Sequence, residues 1–168
     1  WIAFTSNRMG NNDVFVVPVN GGVPQQLTFH TTNDTVQYWT PDGERIIFST
    51  SSRGTHAFYT PLYSVSRTGD LPVPMGMDQG AAGMISQDGS MVAFNRYGMR
   101  YWRKSYRGNR QTDSWVQDLA SGDTRQLTAT DTGVFREPTQ DAYPMWGAQG
   151  MVDFMPARDR TFNIRKIA

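Results

Sequence analysis

The part of the sequence best suited to chemistry is a run of cationic and aromatic residues at 96–112, "RYGMRYWRKSYRGNRQT". It holds six of the chain's 16 basic residues and none of its 15 acidic ones: Arg96, Arg100, Arg103, Lys104, Arg107 and Arg110. Guanidinium groups bind carboxylates and phosphates through a bidentate fork. Aromatic side chains between cationic residues can stack on nucleic-acid bases. The segment is therefore a candidate binding site for an anionic ligand.

Three interpretations of this segment stay open. In the first, it projects from the fold and binds carboxylates, either the C-terminus of a peptide or an acidic surface on a neighbouring domain. The residues that would do so are Arg103, Lys104, Arg107 and Arg110. In the second, the aromatic residues pack on the fold and the arginines pair with nearby acids such as Asp113 and Asp131. In the third, the segment binds nucleic acid, which a net charge of only +1 does not favour.

Other catalytic and metal-binding patterns are scarce. The only histidines are His30 and His56, both in predicted loops, and no Gly-x-Ser-x-Gly motif is present. The sequence has no cysteine, no His-Glu-x-x-His motif and no ladder of aspartates typical of calcium loops. We therefore predict no catalytic residue, metal or cofactor in this chain. Absence of cysteine is compatible with both cytoplasm and periplasm, so the compartment stays open.

A repeat organises the chain around that segment. Four short apolar runs, "IAFT", "IIFS", "VAFN" and "VDFM", each place a phenylalanine at the same position. These are Phe4, Phe48, Phe94 and Phe154, at intervals of 44, 46 and 60 residues. A period of about 40–50 residues built from short strands is typical of propeller blades, and the longer third interval contains the basic segment.

Turn residues recur with the same period. "WTPDGERIIF", "ISQDGSMVAF" and "WGAQGMVDF" precede three of the runs. In the first, Pro41 favours a type I turn, Asp42 can accept backbone hydrogen bonds and Gly43 can adopt a left-handed conformation. "GGVPQQLT" and "SGDTRQLT" predict a further hairpin into an outer strand.

These patterns predict an all-β fold, a β-propeller fragment of about four blades of four-stranded antiparallel sheet. A β-sandwich is the competing fold, but it does not explain the long period. The predicted blades lie at about 1–33, 34–79, 80–140 with the basic insertion at 96–112, and 141–168, which is incomplete. The chain would enter at the second strand of one blade and leave after the third strand of another. We expect such an arc to associate through unpaired strand edges.

The sequence also resembles a known family. "WTPDGERIIFSTSSRG" is similar to the PD40 (WD40-like) repeat of TolB and tricorn-type propellers. "YWRKSYRGNRQTDSWVQDLASGDTRQLT", followed by "PMW" and "ARDRTFNI", resembles the N-terminal six-bladed propeller of tricorn-type serine peptidases. The fourth unit departs from the repeat, with "GAQG" at its turn and Asp153 in its apolar run.

The resemblance implies a non-catalytic propeller segment that gates or filters peptides for a serine peptidase whose Ser and His lie in other domains. The partners would be peptides and the remaining domains of the parent chain, with a homo-oligomer also open, no membrane, and nucleic acid least favoured. The alternative is a TolB-like propeller that binds or scaffolds a protein partner and hydrolyses nothing.

Overall fold

The computed structural model describes residues 1–51, 60–77, 79–98, 110–128, 140–157 and 163–167. In those residues, fourteen strands form four antiparallel sheets of three, four, four and three strands. The chain divides into two compact units, Trp1–Gln79 and Gly80–Ala168. In each unit, one three-stranded and one four-stranded sheet supply the framework.

The first unit contains seven strands. One sheet has the order β1 (Ile2–Ser6), β2 (Asp13–Val17) and β3 (Gln25–Gln26). The other runs β4 (Asp34–Trp39), β5 (Arg45–Thr50), β6 (Leu62–Ser66) and β7 (Val73–Pro74). Alternate side chains of both sheets meet in one core, because a strand directs every second residue to the same face. The core residues are Val14, Val16, Leu27, Ile46, Phe48 and Val65, with Trp39 packed against them.

The second unit repeats this arrangement with the four-stranded sheet first. Its strands are β8 (Ala81–Ile85), β9 (Met91–Asn95), β10 (Ser114–Asp118) and β11 (Thr124–Gln126). The three-stranded sheet consists of β12 (Asp141–Trp146), β13 (Val152–Pro156) and β14 (Arg165–Ile167). A 3₁₀ turn at Ala148–Gly150 joins β12 to β13. The core here is formed by Ala93, Val116, Leu127 and Val152, with Trp146 packed against it.

The phenylalanines that marked the repeat occupy equivalent core positions. Phe48, Phe94 and Phe154 are buried on β5, β9 and β13. Phe4 on β1 stacks on Phe15, with ring centroids 5.8 Å apart. The period read from the sequence is therefore the period of the sheets.

The Pro-Asp-Gly turn forms as its chemistry predicts. Asp42 accepts hydrogen bonds from the Thr40 hydroxyl at 2.6 Å and the Glu44 N–H at 3.0 Å, and Gly43 has φ of 70°. In the next turn of this kind, Asp88 accepts the equivalent bonds from the Ser86 hydroxyl and the Ser90 N–H. These bonds stabilise the ionised carboxylate, and they lower the pKa of Asp88 to about 2.

The "QLT" phrase leads into an outer strand and then ends it. Gln26 pairs with β2 and Gln126 with β10. The threonine that follows turns inward, where its hydroxyl accepts the N–H of a residue in the neighbouring strand. Thr28 accepts from Val14 at 3.0 Å, and Thr128 accepts from Ser114 at 2.9 Å. Both threonines are buried, so the repeated phrase fixes where the outer strand leaves the sheet.

Candidate functional site

The structure describes only part of the basic segment. Arg103, Lys104 and Arg107 lie outside the described residues, so their predicted role in carboxylate binding stays a prediction. Arg110 is described and exposed. Arg96 places its guanidinium 4.8 Å from the ring centroid of Trp115, which is a cation–π contact on β10. At Arg96, therefore, the structure shows packing on the blade.

The first strand of each four-stranded sheet, and β12, carries an irregularity at the same place. The pairing register shifts between Val36 and Tyr38, between Ala81 and Met84, and between Ala142 and Met145. Extra residues of this kind bend a strand and redirect side chains, and they concentrate next to functional sites. Two of these irregularities place a non-glycine residue at positive φ, Ala82 at 52° and Tyr143 at 54°.

A polar side chain from the neighbouring sheet holds the irregular strand within each unit. In the first unit, the Thr5 hydroxyl accepts the Val36 N–H at 2.9 Å. In the second, the Asn95 side chain accepts the Tyr143 N–H at 2.8 Å. Asn95 also donates to the Asp141 carbonyl at 2.8 Å and to the Asp113 carbonyl at 3.0 Å. Thr5 and Asn95 both follow a repeat phenylalanine, so they are equivalent positions with equivalent tasks.

Large side chains are exposed on these bent strands. On β4, Tyr38 is 41% exposed, and on β12, Tyr143 and Met145 are 41% and 43% exposed. Trp146, one residue further, turns inward and donates its indole N–H to the Met84 carbonyl at 3.0 Å. Successive side chains of a strand point to opposite faces, so Met145 is exposed where the adjacent Trp146 faces the core. The sequence analysis did not identify these residues as functional.

A cleft of about 250 Å³ lies in the first unit. Its polar lining residues are Thr28, His30, Asp34, Thr50 and Asp70. Its apolar lining residues are Leu27, Phe29, Phe48, Leu71 and Pro72. Leu27 and Phe48 are buried, whereas Phe29 and Leu71 are largely exposed, so the apolar surface extends from the core to the rim.

Two carboxylates are buried beside this cleft. Asp34 and Asp13 are only 3% and 2% exposed. Asp13 accepts hydrogen bonds from three neutral groups, the Gln26 amide, the Asn11 amide and the Thr28 hydroxyl. Burial, and then the nearby Asp34 charge, raise the pKa of Asp13 above its ordinary value. Within the described part of the chain, the buried Oδ1 of Asp34 has no hydrogen-bond partner.

Asp70, the other acid of the cleft, is already neutralised. Its carboxylate accepts from Arg45 Nη1 at 2.8 Å and from the Ser66 N–H at 2.8 Å. His30 is exposed, and its Nδ1 lies 3.1 Å from the Thr32 hydroxyl. His56 lies outside the described residues. The sequence analysis missed Asp34 as a site residue, although its place at the start of the strand after the "QLT" phrase recurs at Asp141.

Comparison with known proteins agrees with the repeat and the sheets. The family description that matches is the tricorn protease N-terminal beta propeller domain, over residues 1–167. No curated protein matches the chain.

No helix among the described residues combines the length and apolar character needed to cross a membrane.

The chain is similar to many solved structures, including the following three. TolB from Acinetobacter baumannii has a TM-score of 0.73 at 18% identity, covering 99% of this chain and 37% of that one. A putative TolB from Agrobacterium tumefaciens has a TM-score of 0.67 at 18% identity, covering 98% and 55%. The tricorn protease has a TM-score of 0.59 at 12% identity, covering 97% and 15%. The chain thus spans under two thirds of each structure. Likenesses at such identities show the fold alone, and they confirm the predicted β-propeller fragment.

Proposed function

Because this chain belongs to the family of tricorn protease N-terminal β-propeller domains, we propose that it is a non-catalytic propeller segment of a serine peptidase. In this role it filters extended peptides that travel to or from a distant active site. Short strands around a central channel suit the task, since a narrow bore admits an extended chain and excludes a folded one.

The observation that carries the proposal is the set of exposed side chains on the bent strands. The first strand of a blade lies nearest the channel of a propeller, so Tyr143 and Met145 of the second unit are candidates for its wall. Tyr38 holds the place on the first unit's strand that Met145 holds on β12. Tyrosine offers a large, rigid contact area with a polar tip, and the methionine thioether adapts to varied shapes. Such a wall would contact many peptides weakly, as a filter requires, and would not select one sequence.

The hydrogen bonds of Thr5 and Asn95 support the same role. They fix the irregular backbone that presents these side chains. A non-glycine residue at positive φ, such as Tyr143, is strained by about 1–3 kcal/mol. Strain of this kind persists when the surrounding structure holds it in place. The basic segment could then hold the peptide carboxylate, as the sequence analysis predicts for Arg103, Lys104, Arg107 and Arg110.

The test is peptide binding to the chain and to variants of the wall. Fluorescence anisotropy would follow short, unstructured, dye-labelled peptides of mixed sequence. We expect Tyr143→Ala to weaken binding several-fold, since an exposed aromatic contact area is lost. Val23→Ala is the matched control, because Val23 is 90% exposed and lies between β2 and β3.

Two outcomes would count against the proposal. If Tyr143→Ala and Val23→Ala lower peptide affinity equally, the bent strands are not the peptide-contacting wall. If unstructured peptides do not bind at all while a folded partner protein does, the TolB-like interpretation as a protein-binding propeller replaces it.

A further inference from the structure

Among the described residues, the two carboxylates buried at the cleft of the first unit, Asp34 and Asp13, have no positively charged partner. Asp13 accepts hydrogen bonds from neutral side chains, Asp34 Oδ1 accepts none, and Arg45, which is near the cleft, is bonded to Asp70. None of the described residues that line the cleft is a lysine or an arginine. Buried carboxylates in proteins are normally paired with a cation or bound to a metal. A positively charged ligand would supply the missing partner.

The shape of the cleft indicates what kind of cation fits. Its volume of about 250 Å³ compares with about 30 Å³ for one water, so it is far larger than a single ion requires. Half of the lining residues that the structure describes are apolar and cannot coordinate a metal. Among the described residues, no group of three or more His, Asp or Glu side chains could hold a metal ion. An organic cation with an apolar stem matches both parts of the lining.

We propose that this cleft binds a lysine side chain of a peptide. The ammonium group lies at Asp34, and the aliphatic stem packs along Phe29 and Leu71 at the rim. Long basic side chains bury their methylene groups on apolar surface while their charged end meets a polar group. Lysine fits better than arginine, since a compact ammonium can bind one carboxylate oxygen, whereas a guanidinium favours a bidentate carboxylate. The inference rests on the proposed function, because it assigns a preferred side chain to the peptides.

The first experiment compares two blocked amino acids by NMR titration of the ¹⁵N-labelled chain. Nα-acetyl-lysine methylamide should shift the amide resonances of residues 27–34 and 70–73, with a Kd on the order of 1 mM. Nα-acetyl-norleucine methylamide has a similar aliphatic stem without the charge, and it should bind at least about tenfold more weakly, since a charge-assisted hydrogen bond is lost. Equal binding of the two probes would overturn the proposal.

Two further probes separate the sources of the cation. The corresponding blocked arginine should bind more weakly than the blocked lysine, and equal or tighter binding would overturn the assignment to lysine. Butylamine, a free amine, should also bind more weakly, because it lacks the backbone of a peptide. Tighter binding of butylamine would assign the cleft to small free amines instead.

Variants locate the site. Asp34→Asn should lower the lysine affinity about tenfold or more, whereas Asp141→Asn, at the equivalent buried position in the second unit, should leave it unchanged. If Asp34→Asn does not fold, Leu71→Arg provides the test, because Leu71 is 86% exposed and a cation at the rim should repel the ligand. Val23→Arg is its control. Unchanged affinity in Leu71→Arg would overturn the proposal.

The two proposals can fail separately. Mixed-sequence peptides are measured on the same preparation with and without the Tyr143→Ala substitution. If these peptides bind in a Tyr143-dependent way and the blocked lysine does not bind, the cleft assignment is wrong and the proposed filter stands. If the blocked lysine binds and the peptides do not depend on Tyr143, the cleft is a lysine site outside that filter.

Discussion

Asn95 is the residue whose loss should most weaken the second unit. It is 2% exposed, and its side chain joins β9 to the bent strand β12 and to the residue before β10. In Asn95→Ala, the Asp141 carbonyl keeps its bond from the Ser114 hydroxyl at 2.9 Å. The Tyr143 N–H and the Asp113 carbonyl lose their bonds to Asn95. The net contribution of one hydrogen bond is about 0.5–1.5 kcal/mol, so the loss of these two bonds should lower the free energy of unfolding by about 3 kcal/mol at most.

Urea unfolding followed by tryptophan fluorescence and circular dichroism would measure this loss. With an m-value of about 2 kcal/mol/M, the midpoint should fall by about 1.5 M at most. Thr5→Ala removes the single equivalent bond in the first unit, and we expect about 1 kcal/mol there. Asn95→Thr installs the residue used at Thr5, so it should recover the bond to the Tyr143 N–H and about half of the loss. If Asn95→Ala costs no more than Thr5→Ala, the bonds of Asn95 do not hold the bent strand.

Four other outcomes follow from the described contacts and the basic segment. Arg103→Ala combined with Lys104→Ala should weaken the binding of peptides with a free C-terminal carboxylate and leave the binding of C-terminally amidated peptides unchanged. Isothermal titration calorimetry would measure both affinities, and an equal change in the two would exclude carboxylate binding by these residues. Ser86→Ala should raise the pKa of Asp88 from about 2, because the Ser86 hydroxyl is its strongest hydrogen-bond donor, and an unchanged carboxyl titration by NMR would contradict this. The pKa of Asp13 is raised by folding, so the wild-type chain should lose stability as the pH rises through that pKa. Asp34→Asn removes a nearby negative charge, so it should lower the Asp13 pKa and reduce this loss of stability. Carboxyl NMR titration and unfolding at several pH values would test both effects. Trp146→Phe should cost about 1 kcal/mol, because the bond to the Met84 carbonyl is lost while the packing is largely kept, and a wild-type urea midpoint would argue against that bond.

The features that sequence analysis predicted are those that local chemistry determines. Phe48, Phe94 and Phe154 repeat because each blade needs a large apolar residue at the same core position, and a fixed period shows in the sequence without any structure. Asp42 and Gly43 were identifiable because the bonds and dihedral angles of a tight turn involve neighbouring residues. The fold followed from these two signals together.

The features that it missed depend on contacts between distant residues. Asn95 and Tyr143 are 48 positions apart, and an asparagine that ends a strand gives no sign of the backbone it will contact. The cleft brings together residues near 28, 48 and 70, so only the packing of two sheets reveals that the Asp34 Oδ1 atom lacks a hydrogen-bond partner. Asp141 shows why the repeat alone was insufficient. It occupies the equivalent position and is equally buried, but it does not line the cleft.

The repeat therefore explains the scaffold, and the differences between repeats indicate where function can lie. Thr5 and Asn95 perform the same task, so exchanging them should alter stability and leave ligand specificity unchanged. Tyr38 and Met145 occupy matching places before the core tryptophans Trp39 and Trp146, yet they present different surfaces. Nothing in the packing of the sheets requires a tyrosine or a methionine at an exposed position, since exposed side chains contribute little to the core. Exposed side chains that differ between equivalent strand positions can therefore serve ligand binding without altering the core, and for this chain we expect that ligand to be a peptide.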